Sequence, residues 1–575
     1  MRRVCVVSIC AVVGLGAALV PSVGASAAAS DTLVSIGSPP TTFLQNKQNE
    51  PAVAIDANHP SVLAAGSNDE IDLEACNAGD PTACTVTAGV GLSGIYFSFD
   101  SGMSWIQPTY TGYSARTCLG PDDCNPDPSG AIGTLPNYYE NGLVSGGDPA
   151  LAFGPVPGSD GTFSWDNGSR LYYANLTSNF PGVQAFKGFE AVAVSRTDDA
   201  AAAADSDQSA WMAPVIASKQ NSALFSDKEQ IWADNAESSS FFGNVYVCYA
   251  AFRGVPGHTE ALTVIRSTNG GDSWTQKQVT QASNNGQHFG RSGCTIRTDS
   301  HGVVFVFYEE FGRFTEQGQL GAEMMVKSSD GGVTWGRPTK VSDVVEPGVF
   351  DTALGRPVMD GIAGFRVDLA GSPSVDIANG APTGSDATDE IVMSWADASD
   401  GLNDEHAMFT YSTNGGNSWA TTTPIESSPS DRPAYTAPSI SPNGTDVYVV
   451  YDAVTTPYRD NTSDPRGLQG VVLHSSISGG APTGFAEVHR GALGDPRGSS
   501  QNNQNAEFLG DYVYSAATRS YGEAVWTDVR DAAVCDAEND YRESVETGGS
   551  VSRPAPNTDC PPTFGNSDIF GWTSA

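Results

Sequence analysis

Polar residues that could perform acid–base chemistry stand at the starts of predicted strands. Carboxyl groups can protonate a glycosidic oxygen or stabilise the positive charge that develops as the bond breaks. Lysine and arginine can hold sugar oxygens or a substrate carboxylate. The set consists of Glu50, Asp148, Asp227, Lys228, Glu229, Arg291, Asp511 and Tyr512. We expect Asp511, Tyr512, Glu229 and Asp227 to be the catalytic candidates, and Glu50, Asp148, Lys228 and Arg291 to bind substrate. The structural alternative is that these residues cap strands or bind water.

A repeated pair of strands must position these residues. Each unit is an apolar strand, a turn and a second strand, and helical periodicity is nearly absent outside the short alanine run Ala200–Ala204. The seven copies begin at Glu50, Gly147, Asp227, Arg291, Ser372, Ala437 and Gly510. Successive copies begin 64 to 97 residues apart, which leaves room for four strands in each unit. Such units predict an all-β propeller, in which the first strand of every blade lines a central channel. The polar strand starts then meet at the axis, where ligands bind.

A second motif, Ser-x-Asp/Asn-x-Gly-x-Ser/Thr-Trp, alternates with the first. Its four near-complete copies are Ser98–Trp105, Ser267–Trp274, Ser328–Trp335 and Ser412–Trp419. Side chains of Asp, Asn and Ser bond to nearby backbone N–H groups, and Gly supplies a positive φ, so each copy predicts a hairpin turn. Because Gly271-Asp272-Ser273 belongs to such a copy, we expect no serine nucleophile there.

These turns resemble the Asp-box, or BNR repeat, of sialidase-like β-propellers. The sequence resembles bacterial secreted exo-α-sialidase-like BNR proteins, through Asp227-Lys228-Glu229, Gly510-Asp511-Tyr512 and Trp526-Thr527-Asp528-Val529-Arg530. The resemblance implies a glycan in the central channel and Asp boxes at the blade periphery. It also implies Asp511 or Glu229 as acid/base and Tyr512 as nucleophile or stabiliser. We expect a single propeller over residues 30–575, with seven blades favoured over six. Strands near Leu33–Ile36 and Asp568–Trp572 should close the ring.

True sialidases hold the substrate carboxylate with three arginines, the first in a Phe/Tyr-Arg-Ile-Pro motif. Blade 1 has Glu50-Pro51-Ala52 instead, and the nearest match is Phe365-Arg366-Val367-Asp368. Arg291, Arg366 and Arg432 could supply guanidinium groups near the axis. Strict sialidase activity is therefore not expected unless three arginines converge. The alternative to a glycoside hydrolase is a non-catalytic extracellular binding or scaffold propeller.

Charge and the N-terminal residues indicate export. The net charge of −37 excludes binding of nucleic acid or an anionic membrane through the general field of the protein. Arg2 and Arg3, the apolar run Val4–Val20 and the small residues Gly24–Ala27 are typical of a signal peptide, predicted here over residues 1–29. No later run is apolar for long enough to be a membrane anchor. A secreted protein with an extracellular carbohydrate or glycoprotein as partner is expected.

The cysteines suggest disulfides. Eight remain after Cys5 and Cys10 are removed, and eight cysteines allow 105 pairings. Proximity suggests Cys76–Cys84, Cys118–Cys124 and Cys535–Cys560, which leaves Cys248 and Cys294 to pair by elimination or to stay as buried thiols. The seven histidines show no HExxH spacing, so no catalytic metal or other cofactor is required. Carboxylates near the axis could hold a structural Ca²⁺. Nothing in the sequence indicates an oligomeric state.

Overall fold

A computed structural model of the protein describes residues 30–79, 84, 86–218, 221–222, 224–253, 259–282, 290–315 and 318–575. The predicted signal peptide, residues 1–29, lies outside this range. Antiparallel strands form seven sheets that follow one another along the chain. The inner strand of each sheet contacts the inner strands of the sheets before and after it, and the seventh contacts the first. The protein is therefore a seven-bladed β-propeller, as the strand repeats predicted.

The first four blades follow in chain order. Blade 1 contains Gln48–Ile55, Leu63–Asp69 and Ser93–Ser98. Blade 2 contains Ala150–Pro157, Phe163–Asn179, Ala191–Thr197 and Val215–Ile216, with Leu143–Ser145 paired to the end of its second strand. Blade 3 contains Leu224–Ala233, Val245–Arg253, Thr259–Ser267 and Thr275–Gln278. Blade 4 contains Gly290–Thr298, Val304–Thr315, Gly318–Ser328 and Thr339–Val345.

The last three blades complete the ring. Blade 5 contains Ser374–Ile377, Ile391–Asp397, His406–Ser412 and Thr423–Pro424. Blade 6 contains Arg432–Ile440, Asp446–Val454, Leu468–Ser478 and Ala486–Arg490, with Ala481–Pro482 beside its third strand. Blade 7 contains Tyr514–Ala517, Gly522–Asp528, Asp568–Thr573 and the N-terminal strand Thr32–Leu33.

The remaining elements lie in connections. Two small hairpins pair Tyr110–Ser114 with Asp127–Ile132 and Val349–Asp351 with Arg356–Val358. The α-helices are Ala200–Ala204, Asp536–Thr547 and Pro556–Asp559, and the 3₁₀ helices are Tyr139–Asn141, Gln208–Ala210 and Pro496–Gly498. Within the described residues, no helix has the length and apolar character that crossing a membrane requires.

Ring closure uses both chain ends, as expected. Leu33 pairs with Phe570, so the first described strand is the outermost strand of the last blade. Asp31 adds side-chain contacts with His489 and Arg530. This pairing covers edges that would otherwise be open to other chains.

The hydrophobic core is divided among the blade interfaces. One buried cluster lies between each pair of neighbouring blades, including blades 7 and 1, where Val525 and Ile569 pack with Val53 and Leu63. The strands that face a neighbouring blade bury their apolar side chains against it, which explains why these strands are rich in Val, Ile, Tyr and Phe. The blades are thus held face to face while their inner ends stay polar.

The four predicted turns share one hydrogen-bond pattern. In the first, Gly102 N donates to Ser98 Oγ at 3.0 Å and Ser104 N donates to Asp100 Oδ1 at 2.8 Å. The equivalent bonds recur in the turns at Ser267, Ser328 and Ser412. Each turn follows the third strand of its blade, away from the axis. Ser273 is part of such a turn, hydrogen-bonded to Asn269.

Four disulfides connect the cysteine pairs that the sequence suggested: Cys76–Cys84, Cys118–Cys124, Cys248–Cys294 and Cys535–Cys560. The pair left by elimination, Cys248–Cys294, joins the second strand of blade 3 to the inner strand of blade 4. The other three bonds lie in peripheral loops, where Cys76 and Cys535 pack in one small cluster with Phe43 and Phe564.

Candidate functional site

Inner strands of several blades carry the same local distortion at their polar ends. The strand register shifts by a bulge next to Glu50, Lys228, Gly293 and Tyr435, and these four residues have φ values of 56°, 57°, 58° and 47°. Asp148, just before the inner strand of blade 2, has φ 51°. A left-handed bulge residue is unfavourable for any residue but glycine, and it re-aims its side chain. The bulge residues at the polar ends of these inner strands therefore depart from the usual alternation of side chains between the two faces of the sheet.

Asp511 is the centre of the resulting network. Lys228 Nζ lies 2.6 Å from Asp511 Oδ2, and Arg366 Nη2 lies 2.5 Å from the same oxygen. Lys228 also reaches Asp148 Oδ2 at 2.9 Å, and Arg366 reaches Glu50 Oε1 at 3.1 Å. Five residues thus meet at the axis. They come from blades 1, 2, 3 and 7 and from the loop before blade 5. Of the predicted polar strand starts, Glu50, Asp148, Lys228 and Asp511 converge, and Arg366 joins them from a loop.

Polar side chains behind the network fix its geometry. Asn68, on the second strand of blade 1, donates to Glu50 Oε2 at 2.7 Å and accepts from the backbone N–H of Asp148 at 2.7 Å. The hydroxyl of Tyr435 donates to the carbonyl of Arg366 at 2.6 Å and lies 3.5 Å from Asp511 Oδ1. Among the described residues, Asp511 Oδ1 has this long contact alone, so it is the oxygen less engaged by the network.

The network sets two carboxyl groups to opposite protonation states. Burial opposes ionisation of Asp511, but the charges of Arg366 and Lys228 lower its pKa to about 2. Burial raises the pKa of Glu229 well above its usual range, and the nearby charges of Asp148 and Asp227 raise it further. The environment therefore favours the ionised form of Asp511 and the protonated form of Glu229.

Glu229 and Asp511 line one cavity of about 70 Å³, together with Tyr512 and Tyr435. Glu229 is 2 % exposed, and neither of its carboxyl oxygens has a hydrogen-bond partner. Gly293 stands in this wall at the position where other blades place a large bulge residue, and Ser372 lies against it, at 2.1 Å from where a Cβ would be. A buried donor without a partner costs free energy, so a ligand oxygen in this cavity would satisfy Glu229.

Tyr512 lies at the edge of the network. Its ring is 5.7 Å from Lys228 Nζ, and the side chain is partly exposed. Burial raises the pKa of Tyr512 well above its usual range, and the carboxylates of Asp148 and Glu50 raise it further. A neutral phenol that resists ionisation is suited to donating a hydrogen bond. To act as a nucleophile it would first have to transfer its proton to a neighbouring carboxylate.

Asp227 and Glu190 stand nearer to solvent. The Asp227 side chain is 25 % exposed, and its Oδ1 accepts from the backbone N–H of Lys228. Burial raises the pKa of Asp227 to about 6 and that of Glu190 to about 8, and each group is near other carboxylates. Glu190 was not among the predicted residues because it precedes the third strand of blade 2, not an inner strand.

Arg291 and Arg432 lie outside the network. The guanidinium of Arg291 bonds to Glu310 at 2.8 Å and to the carbonyl of Gln281. Arg432 forms two hydrogen bonds with Glu405, at 2.7 and 2.8 Å. Of the three arginines considered from the sequence, Arg366 alone reaches the axis, and its Nη2 is shared between two carboxylates. The guanidinium groups needed to grip a sugar carboxylate do not converge.

Tyr514 divides the channel. Its hydroxyl hydrogen-bonds to Gln230, and both residues line the cavity beside Asp511. Tyr514 also lines a second cavity, of about 190 Å³, which lies at the opposite ends of the inner strands near Trp232 and Arg297. Tyr514 thus stands in the wall that both cavities share.

The described residues contain one group of three metal-ligand side chains whose ligand atoms lie within 4.8 Å of one another, and it is not at the axis. It consists of Asp299, His301 and Asp389, in turns between the first two strands of blades 4 and 5. The axial carboxylates do not converge in this way because Lys228 and Arg366 stand between them. The expected structural Ca²⁺ therefore stays a prediction that the axial geometry does not favour.

Among known proteins, the chain is similar to solved structures. Neither a family model nor a curated protein sequence matches the chain. A sialidase described as Hadza microbial sialidase Hz136 is 14 % identical, with a TM-score of 0.39, and the match covers 71 % of this chain and 63 % of that one. The chain thus spans less than two thirds of that protein's length.

Two further solved structures are similar over most of their own length. An α-L-arabinofuranosidase from Fusarium graminearum is 11 % identical, with a TM-score of 0.37, over 76 % of this chain and 94 % of that one. An intramolecular trans-sialidase from Ruminococcus gnavus is 11 % identical, with a TM-score of 0.40, over 74 % and 94 %. The seven sheets described above establish the architecture independently of these matches.

Proposed function

We propose that the protein is an exported glycoside hydrolase that binds a glycan at the axial site. The observation that carries this proposal is one cavity lined by Glu229, Asp511 and Tyr512, in which burial raises the pKa of Glu229 and neighbouring cations lower that of Asp511. Glycoside hydrolysis needs an acid for the leaving oxygen and a carboxylate for the positive charge on the sugar ring. Two carboxyls whose environments push their pKa values apart supply these roles.

The roles follow from the contacts. Glu229 donates its proton to the glycosidic oxygen, since its carboxyl faces the cavity without another partner. Asp511 stabilises the developing oxocarbenium ion through Oδ1, the oxygen that Lys228 and Arg366 do not occupy. Tyr512 donates a hydrogen bond to the substrate at the cavity edge. We assign activation of the water to Asp227, since its side chain is 25 % exposed and burial raises its pKa to about 6.

The substrate is a glycan without a carboxylate at this position. Lys228 and Arg366 are each shared between two carboxylates, and Arg291 and Arg432 are paired elsewhere. A sialic acid would therefore add a negative charge to a site that has no free cation in the described residues. Four disulfides fit an oxidising extracellular compartment, which agrees with the predicted signal peptide.

A panel of neutral and anionic oligosaccharides, assayed for released reducing ends, tests the proposal. Glu229→Gln keeps the shape of a protonated carboxyl but cannot donate its proton, so it should lower turnover by about 10²–10⁴-fold. Glu323→Gln is the matched control, because Glu323 is equally buried and unpartnered but does not line the cavity. Hydrolysis that is equal in both variants would overturn the assignment. Binding of glycans without any hydrolysis would favour the alternative, a non-catalytic extracellular binding propeller.

A further inference from the structure

A second cavity, of about 190 Å³, lies at the far ends of the inner strands, and none of the residues proposed to be catalytic lines it. Residues from all seven blades form its wall. The apolar wall residues of blades 1, 2, 3, 5 and 6 are Ile55, Phe153, Ile231, Ile377 and Ile440. Because a buried cluster packs each blade against its neighbours, this cavity is preformed, as small-molecule sites usually are.

Most polar side chains in this wall are already hydrogen-bonded to other protein groups. Asn379 Nδ2 donates to Asn235 Oδ1 at 2.8 Å. Arg519 donates to both carboxyl oxygens of Asp386, at 2.9 and 2.7 Å. A ligand with many hydroxyl groups, such as a sugar, would therefore leave most of its hydroxyls without a partner in this cavity, which opposes its binding.

Arg297 differs from these residues because part of its guanidinium is not engaged. Its side chain is 9 % exposed, and its Cζ lies 4.6 Å from the centre of the Trp232 ring. Nε bonds to Asp376 Oδ1 at 3.2 Å, and Nη1 donates to the carbonyl of Ile296 at 2.9 Å. Among the described residues, none accepts a hydrogen bond from Nη2. A ligand oxygen could accept that bond in a partly desolvated site, where it is stronger than in water.

The charges around Arg297 favour an uncharged ligand. Asp376 compensates the guanidinium, and the second carboxyl oxygen of Asp376 accepts from the backbone N–H of Ile440 at 3.0 Å. Arg519, the other described cation in the wall, is paired with Asp386. An anion would be added to a wall whose cations are already neutralised, in a protein of net charge −37. A carbonyl oxygen can accept the same hydrogen bond without that cost.

The volume of the cavity limits the ligand to about one ring. An apolar cavity of roughly 150 Å³ holds one benzene molecule, so a cavity of about 190 Å³ has room for one six-membered ring with a short substituent. We infer that this cavity is a second binding site, which takes an uncharged ring compound whose single carbonyl oxygen accepts a hydrogen bond from Arg297 Nη2. The inference does not rest on the proposed function.

Ligand-observed NMR titration of the native protein with three probes tests the inference. Acetophenone carries the ring and the carbonyl, ethylbenzene has a similar shape without the acceptor, and benzoate carries a carboxylate. We expect acetophenone to bind about tenfold more tightly than ethylbenzene, because ethylbenzene leaves the Arg297 donor without an acceptor. Benzoate should bind more weakly than acetophenone, because Asp376 already neutralises the guanidinium.

A double variant shows whether the preference comes from Arg297. Arg297→Met combined with Asp376→Asn removes both charges together, so neither is left buried and unpaired. It should still bind ethylbenzene but lose the tenfold preference for acetophenone. Arg432→Met combined with Glu405→Gln is the matched control, because it removes a buried ion pair that does not line the cavity, and it should keep the preference. Arg297→Lys, which can keep the ion pair, is a second variant that should also lower the preference.

Equal affinity of the native protein for acetophenone and ethylbenzene overturns the inference. A preference that the double variant retains, or that the control variant loses, overturns it as well. Tighter binding of benzoate than of acetophenone would contradict the assignment of an uncharged ligand, and failure of all three probes to bind would contradict a ligand site altogether. None of these results bears on the axial site, because the hydrolysis assay with Glu229→Gln tests the proposed function separately.

Discussion

Lys228 Nζ lies 2.6 Å from Asp511 Oδ2, although 283 residues separate the two in sequence. The contact joins blade 3 to blade 7 across the axis, and both side chains are largely buried. Together with the Lys228–Asp148 pair it ties three blades at their inner ends. The same contact lowers the pKa of Asp511, while burial raises the pKa of Glu229, so it links the structure of the ring to the proposed chemistry.

Loss of this lysine should destabilise the ring. Lys228→Met leaves Asp511 and Asp148 buried with less compensating charge, and breaking a buried ion pair costs about 3–5 kcal/mol. Lys340→Met is the control, since the Lys340–Asp343 pair is exposed and should contribute less than about 1 kcal/mol. Urea unfolding followed by tryptophan fluorescence measures both. Equal losses of unfolding free energy in the two variants would show that the buried axial ion pair contributes no more to stability than the exposed one.

Stability should fall as the pH rises from the mildly acidic range. Burial raises the pKa of Glu309 from 4.5 to about 8, beside Glu346. Because the folded-state pKa is raised, the protonated group contributes its full stability below about pH 4.5, and this contribution is lost as the pH rises to about 8. Glu309→Gln should therefore be more stable than the native protein near pH 8, by up to a few kcal/mol, with little gain at pH 4.5.

Thermal unfolding of both proteins across this pH range measures the effect. The same gain at both pH values would mean that the glutamine improves packing and that proton linkage is not involved. A native protein whose stability does not change with pH would contradict the raised pKa of Glu309.

General acid catalysis by Glu229 predicts a dependence on the leaving group. A nitrophenyl glycoside leaves as a stable phenolate and needs little protonation, whereas an oligosaccharide needs a proton on the departing oxygen. Glu229→Gln should therefore impair oligosaccharide turnover by about 10²–10⁴-fold and nitrophenyl glycoside turnover much less. In the native protein, kcat on oligosaccharides should decline on the alkaline side as Glu229 loses its proton. Equal impairment of both substrates would assign Glu229 to structure or binding.

The disulfides should differ in their contribution to stability. Cys248–Cys294 closes a separation of 46 residues and joins two blades, while Cys118–Cys124 closes only six. In the chain-entropy account, losing the first costs about 4 kcal/mol and losing the second about 2 kcal/mol. Paired Cys→Ala variants compared by urea unfolding test this order. A larger loss for the peripheral pair would show that loop length is not the controlling factor.

The architecture was predictable because each blade repeats the same local signals. Seven repeated strand pairs give the blade count, the four Ser/Asp/Gly turns indicate the kind of blade, and the ring closure follows from strands left over at both termini. Strand limits were less predictable. The inner strand of blade 6 was expected from Ala437 but begins at Arg432, because the strand continues through the bulge at Tyr435.

The site was predictable only where its residues occupy inner-strand starts. Asp511, Lys228, Asp148 and Glu50 do so, and they meet. Arg291 also stands at such a start, but its side chain bonds within blade 4. A single sequence does not show where a bulge interrupts the alternation of side chains along a strand. The direction of the Arg291 side chain and the hydrogen bond of Tyr435 to the network therefore could not be predicted.

Loop residues gave a weaker signal. Arg366 lies in a connection and reaches the axis through tertiary folding, so its sequence motif alone left it beside Arg291 and Arg432 as one of three candidates. Asn68 lies in a second strand and Glu190 just before a third strand, where the repeat pattern predicts no axial side chain. These residues can be assigned to the site only once the arrangement of neighbouring blades in space is known.

A crystal structure of the Glu229→Gln variant with a bound oligosaccharide tests the central claim most directly, since the variant should bind substrate without cleaving it. We predict a sugar ring against Tyr512 and Asp511, with its glycosidic oxygen within hydrogen-bond distance of the side chain at position 229. Sugar bound on a different surface, with only water beside Asp511, would contradict the account.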